Sequence, residues 1–216
     1  QLEDKILALN ENQIKLIKQK ADPANTYRLG LDAFKKRYED LQRLVENYND
    51  HPLTLTLADS KLNKWVCSVE DLTPRYMLYV DSYLVADKGD CKDRVLYVDN
   101  DLTKHADVTV LLKNSNYVPS FEYQETFNII SSDEIGIFTD GSFTPKTLYL
   151  SYLRYPQYID YEGYVKFDGT DSTTVDCELQ EYLEDELLDL TVESLAMYTE
   201  NTSAVASAQM RISKDE

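Results

Sequence analysis

The chain has 216 residues and a formal net charge of −17, with 43% hydrophobic and 28% charged residues. This composition is typical of a globular protein of one large or two small domains, and it excludes a disordered chain. So acidic a chain is unsuited to binding nucleic acid by phosphate neutralisation or to binding an anionic membrane surface. No stretch is apolar enough to predict a membrane span.

Residues 1–50 predict a helical hairpin. Residues 1–20 read as a first helix, and Asp22-Pro23 follows it, where proline removes a backbone donor. In the second helix apolar residues recur at steps of three and four, which is the spacing of one helical face. The members of this stripe are Leu31, Phe34, Tyr38, Leu41, Val45 and Tyr48.

Residues 51–159 predict a β-rich region, because their apolar, aromatic and β-branched residues form short runs with a period of two. The predicted strands cover residues 53–57, 75–80, 94–98, 108–112, 126–130, 135–139 and 147–153. Asp140-Gly141 separates the last two strands, and this dipeptide favours a hairpin between them.

Residues 160–216 predict an irregular linker followed by a C-terminal helix from about Cys177 to Glu200. The carboxylates of Glu181, Glu184 and Asp185 fill its early turns, where they interact well with the helix dipole. We expect this helix to pack on the N-terminal helices. The predicted fold class is therefore α+β, with terminal helices forming a small bundle and a β-rich insertion between them.

The sequence contains no nucleophile elbow and no glycine-rich phosphate loop, and we expect no catalytic, cofactor-binding or metal site. Cys67, Cys91 and Cys177 lie far apart, which favours reduced thiols in a cytosolic setting over a disulfide scaffold or a zinc site.

Acidic pairs leave two chemical alternatives open. Glu181 with Asp185, or Glu122 with Glu125, could serve a glycosidase-like hydrolase, although 39 acidic residues place such pairs together by chance. The segments 87–90 and 168–171 offer oxygen ligands for calcium, but they lack EF-hand spacing and we interpret them as turns.

Tyrosine is unusually frequent, with 17 residues against 6 phenylalanines. Six tyrosines recur at every third position: Tyr149, Tyr152, Tyr155, Tyr158, Tyr161 and Tyr164. Together with Arg154 they form a candidate subunit or partner interface, because tyrosine combines a large apolar ring with a polar tip. Packing inside one subunit and binding of carbohydrate are the alternatives.

Much of the excess negative charge lies in residues 160–200, where Lys166 is the only basic residue. Glu181, Glu184 and Asp185 are the candidate acidic face. Such a face is either a solvated surface or a wall past which DNA slides without binding.

Three stretches resemble a family of virion proteins of crAss-like phages. They are Ile137-Phe138-Thr139-Asp140-Gly141-Ser142-Phe143, then Leu150-Ser151-Tyr152-Leu153-Arg154-Tyr155-Pro156 with Ile159-Asp160, and Cys177-Glu178-Leu179-Gln180-Glu181. In that family a hairpin strand ends in a Tyr-[Leu/Ile]-Arg-x-Pro run, and a linker then enters a Cys-Glu-Leu-[Pro]-Glu helix start. Gln180 stands where the family has proline.

The family is similar to head–tail connector proteins, that is, ring or adaptor proteins, of short-tailed phages. The resemblance implies a structural, non-enzymatic subunit of a twelve-fold ring in the neck or tail of the virion, assembled in the bacterial cytoplasm. Its implied partners are further copies of itself, the portal protein and neighbouring ring proteins, with DNA passing without specific binding. A minor tail or capsid-decorating protein and a tail-associated hydrolase are the alternatives.

Overall fold

The computed structural model describes residues 2–21, 39–47, 52–89, 93–99, 108–114, 116–131, 133–166, 168–198, 207 and 209–211. The chain divides into two compact units. The helical unit comprises Gln1–Leu44 and Tyr155–Glu216, and the β unit comprises Val45–Arg154. Both ends of the chain therefore belong to one unit, and a continuous insertion forms the other.

The described helices and strands follow the predicted order except at residues 108–111, where a helical turn replaces a predicted strand, and at residues 64–68, which form a strand that was not predicted. The helices are α1 (Leu2–Ala21), the single-turn α2 (Val108–Leu111) and α3 (Glu181–Tyr198), with a 3-10 turn at Gln42–Leu44. The strands are β1 (Val45–Glu46), β2 (Pro52–Thr54), β3 (Thr56–Asp59), β4 (Lys64–Ser68), β5 (Tyr76–Asp87), β6 (Arg94–Asp99), β7 (Glu125–Ile130), β8 (Glu134–Phe138) and β9 (Thr144–Arg154). Along the sequence, one helix lies near each end and a large sheet lies between them. This arrangement confirms the predicted mixed α+β class.

In the helical unit, α1 and α3 pack antiparallel. The hydroxyl of Ser194 on α3 donates to the amide oxygen of Asn12 on α1, and Lys20 forms an ion pair with Glu186 at 2.8 Å. Between these two contacts the residue number rises by eight on α1 and falls by eight on α3, as it does between antiparallel helices. Among the described residues, no helix is long and apolar enough to cross a membrane.

In the β unit, the nine strands form one sheet in the order β1–β9–β5–β6–β7–β8–β4–β3, with β2 paired to β9 beside β1. The β6–β7 pair is parallel and the other described pairs are antiparallel. Buried side chains of β4 and β8 join those of β5, β6 and β9 in one core cluster. Its members include Cys67, Ile135, Ile137, Leu84, Leu96 and Leu148. The sheet thus curls over a common core.

The second predicted helix, residues 31–48, lies mostly outside the described residues. Its described part is helical as far as Leu41. Val45, which the periodicity assigns to this helix, lies instead in β1 and pairs with Leu153 of β9. The prediction is wrong at this end because the edge of β9 supplies backbone hydrogen-bond partners, which helical periodicity does not reveal.

The strand predicted at residues 108–112 is also wrong, since α2 occupies this position. The N–H of Leu112 donates to the carbonyl of Val108 at 2.9 Å and closes a helical turn. Val108 is buried against Phe127 and Phe138, whose rings stack with centroids 5.0 Å apart. This apolar contact outweighs the β propensity of the valine-rich run.

The predicted hairpin through Asp140-Gly141 is wrong as well, although both of its strands form. A turn exists there, in which Gly141 has φ +82° and the carboxylate of Asp140 accepts a hydrogen bond from the N–H of Ser142. However, β8 pairs with β4 and β7, so neither of its edges remains for β9. The chain leaves the turn through buried Phe143 and enters β9 beside β5.

Candidate functional site

The residues predicted as a subunit interface belong to both units. Tyr149, Tyr152 and Arg154 lie on β9 in the β unit. The remaining four, Tyr155, Tyr158, Tyr161 and Tyr164, lie in the helical unit on residues 155–180, which we call the linker. Since alternate residues of a strand point to opposite faces, the three-residue spacing places Tyr149 and Tyr152 on different sides of the sheet.

Tyr152 is part of the core of the β unit and is fully buried. Its hydroxyl donates to the carbonyl of Pro74 at 2.7 Å, and its ring lies 5.7 Å from that of Tyr76. Burial raises the pKa of Tyr152 to about 12. Its side chain therefore stabilises the fold and cannot form part of a surface.

Arg154 also makes a contact inside the β unit. Its Nε atom lies 3.0 Å from the carboxylate of Glu46, and both side chains are largely buried. The hydroxyl of Ser151 donates to the backbone carbonyl of Glu46 at 3.0 Å. These contacts attach the short strand β1 to β9.

Tyr149 belongs to a row of three tyrosines on the outer face of the sheet. In the strand register, Tyr83 of β5 lies between Tyr149 of β9 and Tyr97 of β6. Directly paired residues share one face of a sheet, so the three rings project from the same side. The rings of Tyr83 and Tyr149 stack with centroids 4.8 Å apart, and Tyr97 is 68% exposed. We call these residues the tyrosine row.

The sequence prediction missed Tyr83 and Tyr97. A usable signal was the alternation in β6, where Leu96 and Val98 are buried while Val95 and Tyr97 are exposed. Tyr83 was missed because no strand was predicted beyond residue 80.

Tyr97 lines two grooves in the β unit. One has a volume of about 360 Å³ and is bordered also by Tyr83 and Val95. The other has a volume of about 330 Å³ and is bordered also by Tyr117 and Glu125. Aromatic rings beside a few polar groups suit contact with another protein or with a flat ligand.

The linker has two exposed tyrosines, Tyr158 and Tyr161, which are 52% and 61% exposed. Tyr155 and Tyr164 are half-buried. The hydroxyl of Tyr164 donates to the carboxylate of Asp160 at 2.7 Å, and this bond is the main reason why the pKa of Tyr164 rises to about 12. Tyr164 therefore takes part in the internal structure of the linker.

Asp160 organises the linker. Its backbone exchanges two hydrogen bonds with Val175, and its carboxylate lies 2.8 Å from the ammonium group of Lys166. Hydrogen bonds from Lys166 and then from Tyr164 lower the pKa of Asp160 to about 2. The charged form of Asp160 thus holds the two sides of the linker together.

Asn10 attaches the linker to α1. Its side-chain amide accepts a hydrogen bond from the N–H of Ile159 at 2.8 Å and donates one to the carbonyl of Ile159 at 2.9 Å. Asn10 is 6% exposed and Ile159 is half-buried, so the two hydrogen bonds lie in a partly buried contact. One buried amide therefore satisfies both polar groups of a linker residue.

The predicted acidic face, Glu181, Glu184 and Asp185, is exposed on the first turns of α3. Leu188 and Val192 follow on the same side of the helix and are 53% and 47% exposed. The carboxylates therefore share a helix face with apolar side chains.

The other acidic candidates have local partners. Glu122 lies 2.5 Å from the ammonium group of Lys88, and this hydrogen bond lowers the pKa of Glu122. The carboxylate of Asp168 accepts hydrogen bonds from the N–H and the hydroxyl of Thr170, which is the geometry of a turn. Across the described residues, no three carboxylate, thiol or imidazole groups are grouped so that they could hold a metal ion.

The two described thiols differ in exposure. Cys67 is buried in the core of the β unit, and burial raises its pKa to about 12. Burial also raises the pKa of the half-buried Cys177. Since the thiolate is the nucleophilic form, neither environment activates a cysteine.

No protein-family model matches the chain, and no curated protein sequence matches it at a significant level. A functional assignment therefore depends on the surfaces described above and on the resemblance in the sequence.

Proposed function

We propose that this chain is a structural subunit of a ring in the neck or tail of a short-tailed phage. In this role it lies below the portal, connects head to tail and extends the DNA channel. It acts by assembly with further copies of itself, in a ring of twelve, and with the portal and neighbouring ring proteins. The sequence resemblance at residues 137–143, 150–156 and 177–181 supports the family to which this role belongs.

The tyrosine row is the observation that carries the proposal of an assembly role. Tyr97 and Val95 are 68% and 44% exposed on one face of a sheet whose other face is the core. Tyrosine is enriched in protein interfaces, where its ring is buried and its hydroxyl stays wet at the rim. Exposed aromatic and apolar side chains grouped on one face are typical of a contact with another molecule.

The charge of the chain supports the proposed passage of DNA. A net charge of −17 disfavours adhesion of a polyanion, because neutralising phosphates requires lysine and arginine surfaces. A channel subunit with this charge lets DNA slide without a binding step.

The first test is the copy number of this chain in purified virions, measured by quantitative mass spectrometry against the portal protein. Equal numbers are the expected result. Absence from the particle, or a copy number that follows the capsid protein, would contradict the proposal.

A second test addresses the tyrosine row. Tyr97→Ser should reduce incorporation of the chain into particles, because it removes the most exposed ring of the row. Tyr123→Ser is the matched control, since Tyr123 is 81% exposed and lies outside the row. Equal incorporation of both variants would exclude the row as an assembly surface.

Carbohydrate binding is the second candidate function, and the same row favours it. Stacked rings beside two grooves offer a flat aromatic surface to a sugar ring. A glycan array distinguishes the candidates: specific binding that Tyr97→Ala abolishes would favour carbohydrate recognition.

A further inference from the structure

The outer side of α1 has an exposed face of mixed character. Its members are Leu7, Glu11, Ile14, Lys15 and Lys18, which we call the α1 face. Leu7 is 50% exposed near the start of the helix, and the two lysines are exposed towards its end. A groove of about 360 Å³ lies along this face, bordered by Glu11, Ile14 and both lysines.

The outer side of α3 has the complementary character. Its members are Glu181, Glu184, Asp185, Leu188 and Val192, which we call the α3 face. Here the carboxylates come first along the helix, and the exposed apolar residues follow. Apart from Glu11, the sign of the charge and the order of the two types are both reversed relative to the α1 face.

The two faces match in spacing when the helices run antiparallel. Residues 7, 11, 14 and 18 of one helix and residues 181, 185, 188 and 192 of the other each span eleven positions, or about 16 Å of helix. Antiparallel alignment then places Lys18 opposite Glu181 and Lys15 opposite Glu184. At the other end of the same contact Leu7 meets Val192, while Glu11 falls opposite Leu188 and Ile14 opposite Asp185.

These faces are distinct from the contact between α1 and α3 within one copy. That contact uses Asn12 with Ser194 and Lys20 with Glu186, and it is also antiparallel. A second antiparallel contact through the outer faces would continue the same alternation of helices into the next copy.

We infer that the α1 face of one copy docks on the α3 face of the next copy of this chain. The contact is heterologous, because each copy uses a different face on each side, and contacts of this type form a ring where the rotation between neighbouring copies closes. The inference deepens the proposed function and rests on it. It assigns Glu181, Glu184 and Asp185 to a subunit contact in place of the channel wall predicted from the sequence, and it accounts for the exposed Leu188 and Val192.

Charge reversal tests the inference on the purified full-length chain. One variant carries Lys15→Glu with Lys18→Glu, and the other carries Glu181→Lys with Glu184→Lys. Each reversal turns two opposed pairs into like-charge pairs, so each variant alone should associate roughly tenfold or more weakly than the unmodified chain. The measurement is sedimentation velocity over a range of protein concentrations.

Mixing the two variants is the decisive arm. In an alternating assembly every reversed α1 face meets a reversed α3 face, and association should return to the unmodified level. A carboxylate face that lines a channel predicts no such recovery. A carboxylate face that meets another α3 face predicts instead that the Lys15→Glu, Lys18→Glu variant alone associates as strongly as the unmodified chain. Failure of the mixture to associate would therefore overturn the inference.

Apolar substitution provides an independent arm. Leu188→Ser should weaken association, while Leu57→Ser should not, because Leu57 is a similarly exposed leucine on β3. A purified chain that stays monomeric at every concentration would refute docking between copies. The copy number in virions would still test the proposed function, so the two failures are distinguishable.

Discussion

Replacement of Asn10 by alanine should release the linker from α1. In the native chain the amide of Asn10 holds both the N–H and the carbonyl of Ile159. Its third hydrogen bond, to the carbonyl of Ile6, duplicates a bond that this carbonyl already accepts within the helix. The two bonds to Ile159 are therefore the ones whose loss matters.

The magnitude follows from those two groups. A buried backbone group that loses its partner costs about 1–3 kcal/mol, and water can reach part of this contact. We therefore expect Asn10→Ala to destabilise the attachment of the linker by about 2–3 kcal/mol. Asn12→Ala is the matched control, because Asn12 lies on the same helix and is 4% exposed. Its partners are the carbonyl of Ala8, which is already bonded within the helix, and the hydroxyl of Ser194, which can rotate to another partner. We therefore expect Asn12→Ala to destabilise the fold by only about 1 kcal/mol.

Native-state amide hydrogen exchange of Ile159 is the assay. The difference in destabilisation between the two variants corresponds to exchange of the Ile159 amide that is roughly tenfold faster in Asn10→Ala than in Asn12→Ala. The change in helix propensity from asparagine to alanine is the same in both and cancels. Equal exchange at Ile159 in the two variants would refute the reasoning that Asn10 attaches the linker.

Three further outcomes are expected. In urea denaturation, Tyr152→Phe should lower the free energy of unfolding by about 1 kcal/mol more than Tyr149→Phe does. Of the two hydroxyls, only that of Tyr152 is buried against a carbonyl. A larger loss of stability in Tyr149→Phe would contradict the burial of Tyr152. The pKa of Asp160 is lowered from 3.8 to about 2 in the folded state, so its stabilisation of the linker is present above pH 4 and is lost as the pH falls towards 2. Amide exchange of Val175 should accelerate in that range, and a similar acceleration in Asp160→Asn would assign it to another group. Cys67 should react with a thiol reagent at least about a hundredfold more slowly in the native protein than in urea, because burial raises its pKa to about 12. Peptide mass spectrometry measures the labelling of Cys67 in both states. Equal labelling in the two states would contradict its buried position.

The elements that a local pattern predicted correctly are those whose apolar and β-branched residues lie close together in the chain. Helix α1 follows from a helical period, and β6 and β7 follow from β-branched and aromatic runs. The acidic start of α3 and its exposure also follow from the sequence, because carboxylates are costly to bury. These properties depend on residues that are close neighbours in the chain.

Pairing between strands depended on segments far apart in the chain. The turn at Asp140-Gly141 is present, yet β8 pairs with β4 and β7 because these strands together build the core. The sequence does not predict β4 as a strand, so the partner that displaces β9 was invisible to local reasoning. In the same way, Val108 takes a helical turn because distant aromatic residues bury it.

In the run of tyrosines, the sequence and the tertiary structure determine different properties. The sequence determined that Tyr149 and Tyr152 both lie on a strand, but only the tertiary structure decided which of them faces the core. Strand register assembles Tyr149 with Tyr83 and Tyr97, which come from two other strands. A surface is formed by residues that share a face across several strands, and that arrangement is fixed by packing of the whole sheet and not by spacing along one segment.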